Sequence, residues 1–303
     1  MIDTLNNVFA GTYTLKFITL FVELFLQLIP YALSGVLIVG LVNAFSPRDK
    51  LAARLSGRRF LPLLTVSILG AISPVPTYAL IPMIASMHKE RSVPIGILVA
   101  FMISSPLINP LLFVMTYGAF GLPMALMRVA AAVTLGMVGG FIANRFAEKN
   151  NNAVQSDAPI VKQSDQNQSW VKRWKTATFK EFKFVLRVFT ISVAVAALAG
   201  ALVPADLFMR IVGGNQTLSV AAAVALGIPL YACGGGAIPV MQVLYESGLS
   251  QGAVLAFFIS GPGTRLSTIA ALSICLSRRI SIIYLSVIII GAFWFGVVYN
   301  LVW

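Results

Sequence analysis

The chain has 303 residues, of which 58% are hydrophobic and only 11% are charged. A soluble domain carries about 25% charged residues, so this composition excludes an ordinary soluble protein. The net charge of +12 does not indicate nucleic-acid binding, because most Lys and Arg residues cluster between apolar segments, as the positive-inside rule predicts. We therefore expect an integral membrane protein that lies in a lipid bilayer and has no nucleic-acid partner.

Eight apolar segments of about 20 residues or more follow one another along the chain, and each is long enough to reach across a hydrocarbon core of about 30 Å. They cover 17–43, 61–87, 93–117, 122–144, 184–203, 218–244, 252–276 and 280–302. The first ten residues contain no Lys or Arg, and the first segment is longer than the apolar region of a signal peptide. We expect it to be a membrane helix.

Two stretches repeat one pattern of Pro and Gly within apolar sequence. Residues 69–83 read LGAISPVPTYALIPM and residues 226–240 read LGIPLYACGGGAIPV; later, AFMISSPLINP at 100–110 matches AFFISGPGTR at 256–265. A broken helix frees backbone groups, which a membrane tolerates only where they are buried in protein or line a cavity. Broken segments at matching points of two halves point to the binding site of a transporter.

The distribution of positive charge favours a particular topology. If all eight segments crossed the membrane, the loop 44–60 and the linker 145–183 would lie on opposite sides, and the Lys/Arg bias would largely vanish. If 61–87 and 218–244 are instead re-entrant hairpins, the clustered cations share one side, which the positive-inside rule assigns to the cytoplasm. The opposite side then holds few cations, among them Arg128 near a loop.

Each half then has three crossings, an odd number, so the halves insert in opposite orientations. We predict an all-α polytopic membrane protein built as an inverted repeat, with three crossing helices and one re-entrant Pro/Gly-broken hairpin in each half. The first transmembrane repeat covers 1–144, a polar and basic cytoplasmic linker covers 145–181, and the second repeat covers 182–303. The N-terminus is expected outside.

The repeated motifs resemble those of the predicted-permease family that includes ArsP-type organoarsenical efflux permeases and YraQ-type proteins. The resemblance rests on PVPTYALIPM at 74–83, AFMISSPLINP at 100–110, and GIPLYACGGGAIP at 227–239 with SGPGT at 260–264. It implies a permease of the drug- or metalloid-efflux type in the inner (cytoplasmic) membrane, without an ATPase domain in this chain.

The chain departs from the family pattern at three positions. The first motif of the family usually carries two cysteines, where this chain has Pro76 and Tyr78, so only Cys233 remains in the motif region. A trivalent arsenical binds two or three thiolates, and one protomer cannot supply them from this region. Arg265 stands where the second motif usually has an amide, which favours a substrate with an anionic group.

We predict that small and polar residues at the two breaks bind the substrate. They are Cys233, Gly234, Gly235, Gly236, Arg265, Asn109, Ser104, Ser105, Ser260, Thr264, Pro76 and Tyr78. The glycines allow a solute to approach the backbone closely. A cation within the bilayer costs at least about 2.5 kcal/mol, so Arg265 either binds substrate or pairs with Glu23, the acidic residue deepest in an apolar segment.

Structural explanations exist for several of these residues. Serine and threonine hydroxyls re-satisfy backbone groups that proline frees, Cys233 suits a tightly packed turn, and Tyr78 suits a core. Glu23 is predicted either to carry a coupling proton or to be an ion-pair partner.

The sequence contains no zinc-protease, P-loop or nucleophile-elbow motif, and its single histidine, His88, lies in a charged loop. We therefore expect no enzyme activity, no cofactor and no metal. The preferred function is export of a small solute, either a metalloid compound or an anion, driven by an ion gradient. The alternatives are a non-transporting membrane anchor or partner subunit and a passive channel. A homodimer is one option for the assembly.

Overall fold

A computed structural model describes residues 13–45, 60–72, 94–148, 215–230, 236–265 and 278–303, together with scattered helical residues at 179–198 and 268–272. All regular structure within these residues is helical, as the sequence predicts. Eight helices follow in chain order: α1 Tyr13–Phe45, α2 Phe60–Ile72, α3 Ile95–Leu107, α4 Pro110–Glu148, α5 Gln216–Leu230, α6 Ala237–Glu246, α7 Gln251–Gly263 and α8 Arg278–Val302.

Two of the apolar segments are interrupted helices. Helix α3 ends at Leu107 and α4 begins at Pro110, so the predicted segment 93–117 breaks at residues 108–109. Proline lacks the N–H that would continue the helix and disfavours helical geometry at the residue before it. Helix α7 ends at Gly263, and the chain leaves helical geometry at 264–265, within the predicted segment 252–276.

Helix α4 reverses direction at Gly121, whose φ of 81° and ψ of 177° are not helical. A positive φ is readily adopted by glycine. Arg128 Nη1 donates a hydrogen bond of 2.6 Å to Thr116 Oγ1, 12 residues earlier. In a straight helix 12 residues span about 18 Å, so the arms on either side of Gly121 must fold back on each other.

The same backbone contact occurs once in each half. The N–H of Gly96 donates to Asn144 Oδ1 at 2.7 Å, and the N–H of Gly252 donates to Asn300 Oδ1 at 2.6 Å. In both cases 48 residues separate the partners. We call these two contacts the glycine–asparagine clamps. Each clamp fastens the start of an interrupted helix to the end of the long helix that follows it.

A second close approach is also duplicated. A Cβ placed on Gly70 of α2 would lie 2.7 Å from Ser104 Oγ of α3, and a Cβ on Gly227 of α5 would collide with Ser260 Oγ of α7. Helices α2, α3 and α4 therefore pack in the first half as α5, α7 and α8 pack in the second. The halves meet where α4 packs on α8, with Leu135 against Gly291.

Helices α5 and α6 flank residues 231–235, which lie outside the described part of the chain. Ser219 Oγ, near the start of α5, is 3.4 Å from Ser250 Oγ, just after α6. The segment therefore ends close to where it begins.

Large apolar side chains cover much of the outer surface. Trp294 is 62% exposed and Leu126 is 53% exposed, which suits contact with lipid rather than water. In the described residues, Pro110–Phe146 and Arg278–Val302 are long and apolar enough to cross a membrane, whereas α2, α3 and α5 are shorter apolar helices. These long apolar helices and the apolar surface are those expected of an integral membrane protein. Helix α4 runs to Glu148, past residue 144, and most of the predicted linker lies outside the described residues.

Candidate substrate site at two helix breaks

Five of the predicted binding residues lie outside the described residues. They are Cys233, Gly234 and Gly235, which precede α6, and Pro76 and Tyr78, which follow α2. Their roles stay predictions. Gly236 is described; it is half-buried and immediately precedes α6.

The polar groups at the first break are engaged within the protein. Asn109 Oδ1 accepts a hydrogen bond of 2.8 Å from the N–H of Leu112, so Asn109 caps the start of α4. Ser104 Oγ donates to the carbonyl of Ala100 at 2.6 Å. Ser105 is buried beside it. The side-chain oxygen of Asn109 and the hydroxyl of Ser104 therefore satisfy backbone groups.

Arg128 completes the first break. Its Nη2 donates at 3.0 Å to the carbonyl of Leu107, the last residue of α3, which the break leaves without its usual helical donor. Its Nη1 donates to Thr116, and the residue is only 1% exposed. The sequence analysis placed Arg128 near a loop, but the reversal at Gly121 carries it into the core. Its burial could have been suspected from the sequence, because Arg128 lies inside the predicted crossing 122–144.

Arg128 also contacts the second half of the chain. Its guanidinium carbon lies 4.4 Å from the centre of the Phe258 ring in α7, and Phe120 packs edge-on against the same ring at 5.6 Å. Within the described residues Arg128 has no carboxylate partner. A hydroxyl, a carbonyl and an aromatic face therefore compensate this buried cation.

The second break combines satisfied and unsatisfied groups. Thr264 donates through both its hydroxyl, at 2.9 Å, and its N–H, at 3.0 Å, to the carbonyl of Ser260. Ser260 Oγ faces the carbonyl of Phe257 at 3.5 Å. Arg265 follows, and its buried Nε has no hydrogen-bond partner in the described structure.

Two buried hydroxyls accompany Arg265. The N–H of Thr268 donates to the carbonyl of Arg265 at 3.0 Å, which places Thr268 one helical turn further on. Thr268 is 1% exposed and Tyr284 of α8 is 0% exposed, and neither hydroxyl has a partner in the part of the chain that the structure describes. The second break therefore gathers one guanidinium and two hydroxyls with unused hydrogen-bonding capacity.

The two halves place their cations at different positions. When the two halves of the sequence are aligned on their glycine–asparagine clamps, Asn109 corresponds to Arg265 and Arg128 corresponds to Tyr284. In the first half the cation lies on the long helix and an amide lies at the break. In the second half the cation lies at the break and a phenol lies on the long helix.

Glu23 is exposed on α1. Within the described residues Glu23 and Arg265 form no ion pair, so the predicted partnership has no support there. One turn further along α1, Gln27 Oε1 accepts a hydrogen bond of 3.1 Å from Gln242 Nε2 of α6, which also donates to Glu246 at 3.2 Å. Gln242 Oε1 is buried and has no partner within the described residues. A polar group thus connects α1 with α6.

The described residues contain no group of three His, Cys, Asp or Glu side chains that could hold a metal ion.

Comparison with known families decides the class of protein. The sequence profile of a family described as predicted permease matches residues 14–301. The chain belongs to the ArsP_1 predicted permease family. The membership inferred from the PVPTY and SSPLINP motifs is confirmed, and the family description supports a role in membrane transport.

Three bacterial relatives have similar sequences. YraQ of Escherichia coli is 23% identical over 82% of this chain and 70% of its own length. YcgR of Bacillus subtilis is 29% identical over 50% of this chain. A Streptococcus mutans protein, named as a subunit of a two-component membrane permease complex, is 23% identical over 45% of this chain. The chain spans about half the length of the last two relatives, 51% and 47%. No solved structure matches the chain.

Proposed function

We propose that the chain is a secondary transporter that exports a small solute across the cytoplasmic membrane, through a midplane site between its two helix breaks. The observation that carries this proposal is the pair of interrupted helices, α3 and α7, held in matching positions by the glycine–asparagine clamps in a member of a permease family. Interrupted helices at corresponding points of two halves are typical of transporter binding sites.

Two contacts support the inverted repeat and the re-entrant hairpins. The duplicated clamps argue for two copies of one fold, and the proximity of Ser219 to Ser250 suits a hairpin that leaves the membrane on the side where it entered. With one hairpin in each half, every half has three crossings, and the copies face opposite ways. Such an arrangement lets a central site open alternately to either side.

The proposed cargo is either a metalloid compound, as in the ArsP-type relatives, or a small anion. Cys233 provides one thiol beside three glycines. Arg265 provides a guanidinium whose Nε has no partner among the described residues. This unused donor favours the anion.

We further propose that a proton gradient drives export and that Glu23 carries the proton. Glu23 and Gln27 are four residues apart on α1, so both lie on one helix face. Gln27 is bonded to Gln242, which is bonded to Glu246. These groups provide two carboxylates and two amides along the contact between α1 and α6, and carboxylates inside membrane proteins commonly relay protons.

The test is uptake into inverted membrane vesicles from cells that express the chain, with arsenate, acetate and a trivalent methylarsenical as separate cargoes. Accumulation that depends on the chain and collapses with a protonophore is the expected result. Glu23→Gln is expected to abolish the dependence on the gradient, whereas Asp157→Asn, the same carboxylate-to-amide change in the predicted linker, serves as the control. If uptake by the Glu23 variant depends on the proton gradient as strongly as uptake by the native chain, Glu23 does not carry the coupled proton. If the cargo never becomes more concentrated inside the vesicles than outside, the chain is a passive channel.

A second candidate function is supported by the exposure of Glu23. A carboxylate that faces hydrocarbon is costly, so a partner subunit or a second copy of the chain would stabilise this face of α1 by covering it. The S. mutans relative, named as a subunit of a two-component permease complex, suits this arrangement. Reconstitution of the purified chain alone in liposomes separates the cases, because a partner-dependent subunit transports nothing by itself.

A further inference from the structure

We propose that Arg265, Thr268 and Tyr284 form an oxyanion-binding site at the second helix break, and that the first break carries no equivalent site. This inference rests on the proposed transport function and names the class of ligand. It adds Thr268 and Tyr284 to the residues that the sequence motifs indicate.

The first step concerns hydrogen bonds that are missing. Buried polar atoms in proteins are nearly always hydrogen-bonded, and each exception requires an explanation. Arg265 Nε, Thr268 Oγ1 and Tyr284 OH are all buried, and none has a hydrogen-bond partner within the described residues. Leaving such a group unpaired costs about 1–3 kcal/mol. Three exceptions in one neighbourhood therefore indicate a ligand that supplies acceptors.

The second step concerns proximity. Thr268 follows Arg265 by one helical turn, since its N–H donates to the Arg265 carbonyl. A Cβ on Gly263, two residues before Arg265, would lie 2.6 Å from Ile288 Cγ2. Ile288 lies one turn after Tyr284 on α8, so the end of α7 packs against the face of α8 that carries the phenol. Arg265 and Thr268 thus follow directly after a helix whose end contacts the helix that carries Tyr284.

The third step is the comparison between the two halves. Asn109, which corresponds to Arg265, uses its side-chain oxygen to cap α4. Arg128, which corresponds to Tyr284, donates to Leu107 and Thr116. Two polar groups at the first break therefore have partners inside the protein. At the second break, Arg265 Nε and the Tyr284 hydroxyl have no partner within the described residues, but Arg128 Nε at the first break has none either. The difference between the breaks therefore lies in the two unpaired hydroxyls, those of Thr268 and Tyr284, which makes the site asymmetric.

The fourth step is the chemistry of the ligand. A guanidinium N–H is only a donor, and both hydroxyls can donate. Hydrogen bonds between such groups and an ionised oxygen are about twice as strong as those between neutral groups. A carboxylate or a tetrahedral oxyanion fits this set, whereas a trivalent arsenical would require thiolates. The alternative occupant is an ordered water, which also satisfies buried hydroxyls, and the experiment distinguishes the two.

The experiment measures ligand-induced thermal stabilisation of the purified chain in nanodiscs, with inorganic phosphate, arsenate and acetate as oxyanion probes and a trivalent methylarsenical as the comparison. Tyr284→Phe and Thr268→Val each remove one hydroxyl and keep the shape of the side chain. We expect at least one oxyanion to stabilise the native chain and each variant to weaken its apparent affinity about ten-fold or more. Tyr299→Phe on the same helix and Thr134→Val on α4 are matched controls that should retain the native affinity.

Three results would overturn the inference. The site is not at the second break if an oxyanion binds the native chain and both hydroxyl variants equally. A water site is indicated if no oxyanion stabilises the native chain. A site at the first break would follow if Thr116→Val weakened oxyanion binding while Tyr284→Phe did not. Transport of the methylarsenical in vesicles is measured in parallel: if it persists, the transport proposal stands although the oxyanion site has failed.

Discussion

The guanidinium of Arg128, in the first half of the chain, lies 4.4 Å from the centre of the Phe258 ring, in the second half. The same side chain donates to the carbonyl that ends α3. One buried cation thus connects the first helix break with the helix that leads to the second break. A cation–π contact shielded from water contributes about 2 kcal/mol, so any motion that separates the two halves here must replace this contact.

A double-mutant cycle tests this connection. Arg128→Met, Phe258→Leu and the double variant are compared by their free energies of unfolding in detergent. We expect a coupling energy of about 1–2 kcal/mol, because each single variant removes the same cation–π contact. Arg145→Met, at an exposed position of α4, combined with Phe258→Leu is the control cycle and should show additive effects. If the effects of Arg128→Met and Phe258→Leu on the free energy of unfolding are simply additive, Arg128 does not connect the two halves.

Thr116→Val should destabilise the chain, because it leaves Arg128 Nη1 without its acceptor. The expected loss is about 1–3 kcal/mol in the free energy of unfolding. Thr134→Val is the same chemical change at an exposed threonine of α4, which bonds only to its own helix, and should cost less than about 0.5 kcal/mol. The prediction fails if the two valine variants are equally stable.

Gly96→Ala and Gly252→Ala should destabilise the chain by similar amounts. A Cβ at either position would collide with a backbone carbonyl, that of Gly140 or that of Gly296, and overpacking of this kind costs about 1–3 kcal/mol. Thermal unfolding of the two variants measures the effect, and each variant serves as the comparison for the other. A large effect in only one half would argue against equivalent clamps.

Single cysteines test the re-entrant hairpin. In a background with Cys233→Ser and Cys275→Ser, Asn215→Cys before α5 and Ser247→Cys after α6 should react with an impermeant thiol reagent from the periplasmic side. Arg278→Cys, at the start of α8, should react only after the membrane is opened. If Asn215→Cys and Ser247→Cys react from opposite sides, α5 and α6 together cross the membrane and the hairpin assignment is wrong.

The sequence could predict the helical class, the family and the paired breaks, because proline and glycine act locally on the backbone. The capping role of Asn109 could also have been read from its position before Pro110, since asparagine is favoured as an N-cap and proline as the first helical residue. The burial of Arg128 could not, because it depends on the reversal at Gly121 and on Phe258, which lies far away in sequence. The unused hydroxyls of Thr268 and Tyr284 are likewise visible only when neighbouring helices are in place.

Each glycine–asparagine clamp closes within its own half of the chain, between residues 48 positions apart. The covalent link between the halves therefore contributes to neither clamp. A gene divided within the predicted linker, between Glu148 and residue 181, is expected to give two polypeptides that insert separately and associate afterwards through α4 and α8. In the proposed inverted repeat the two halves are copies of one unit that pairs with an inverted copy of itself. The copies differ in where the cation lies, which is on the long helix in the first half and at the break in the second.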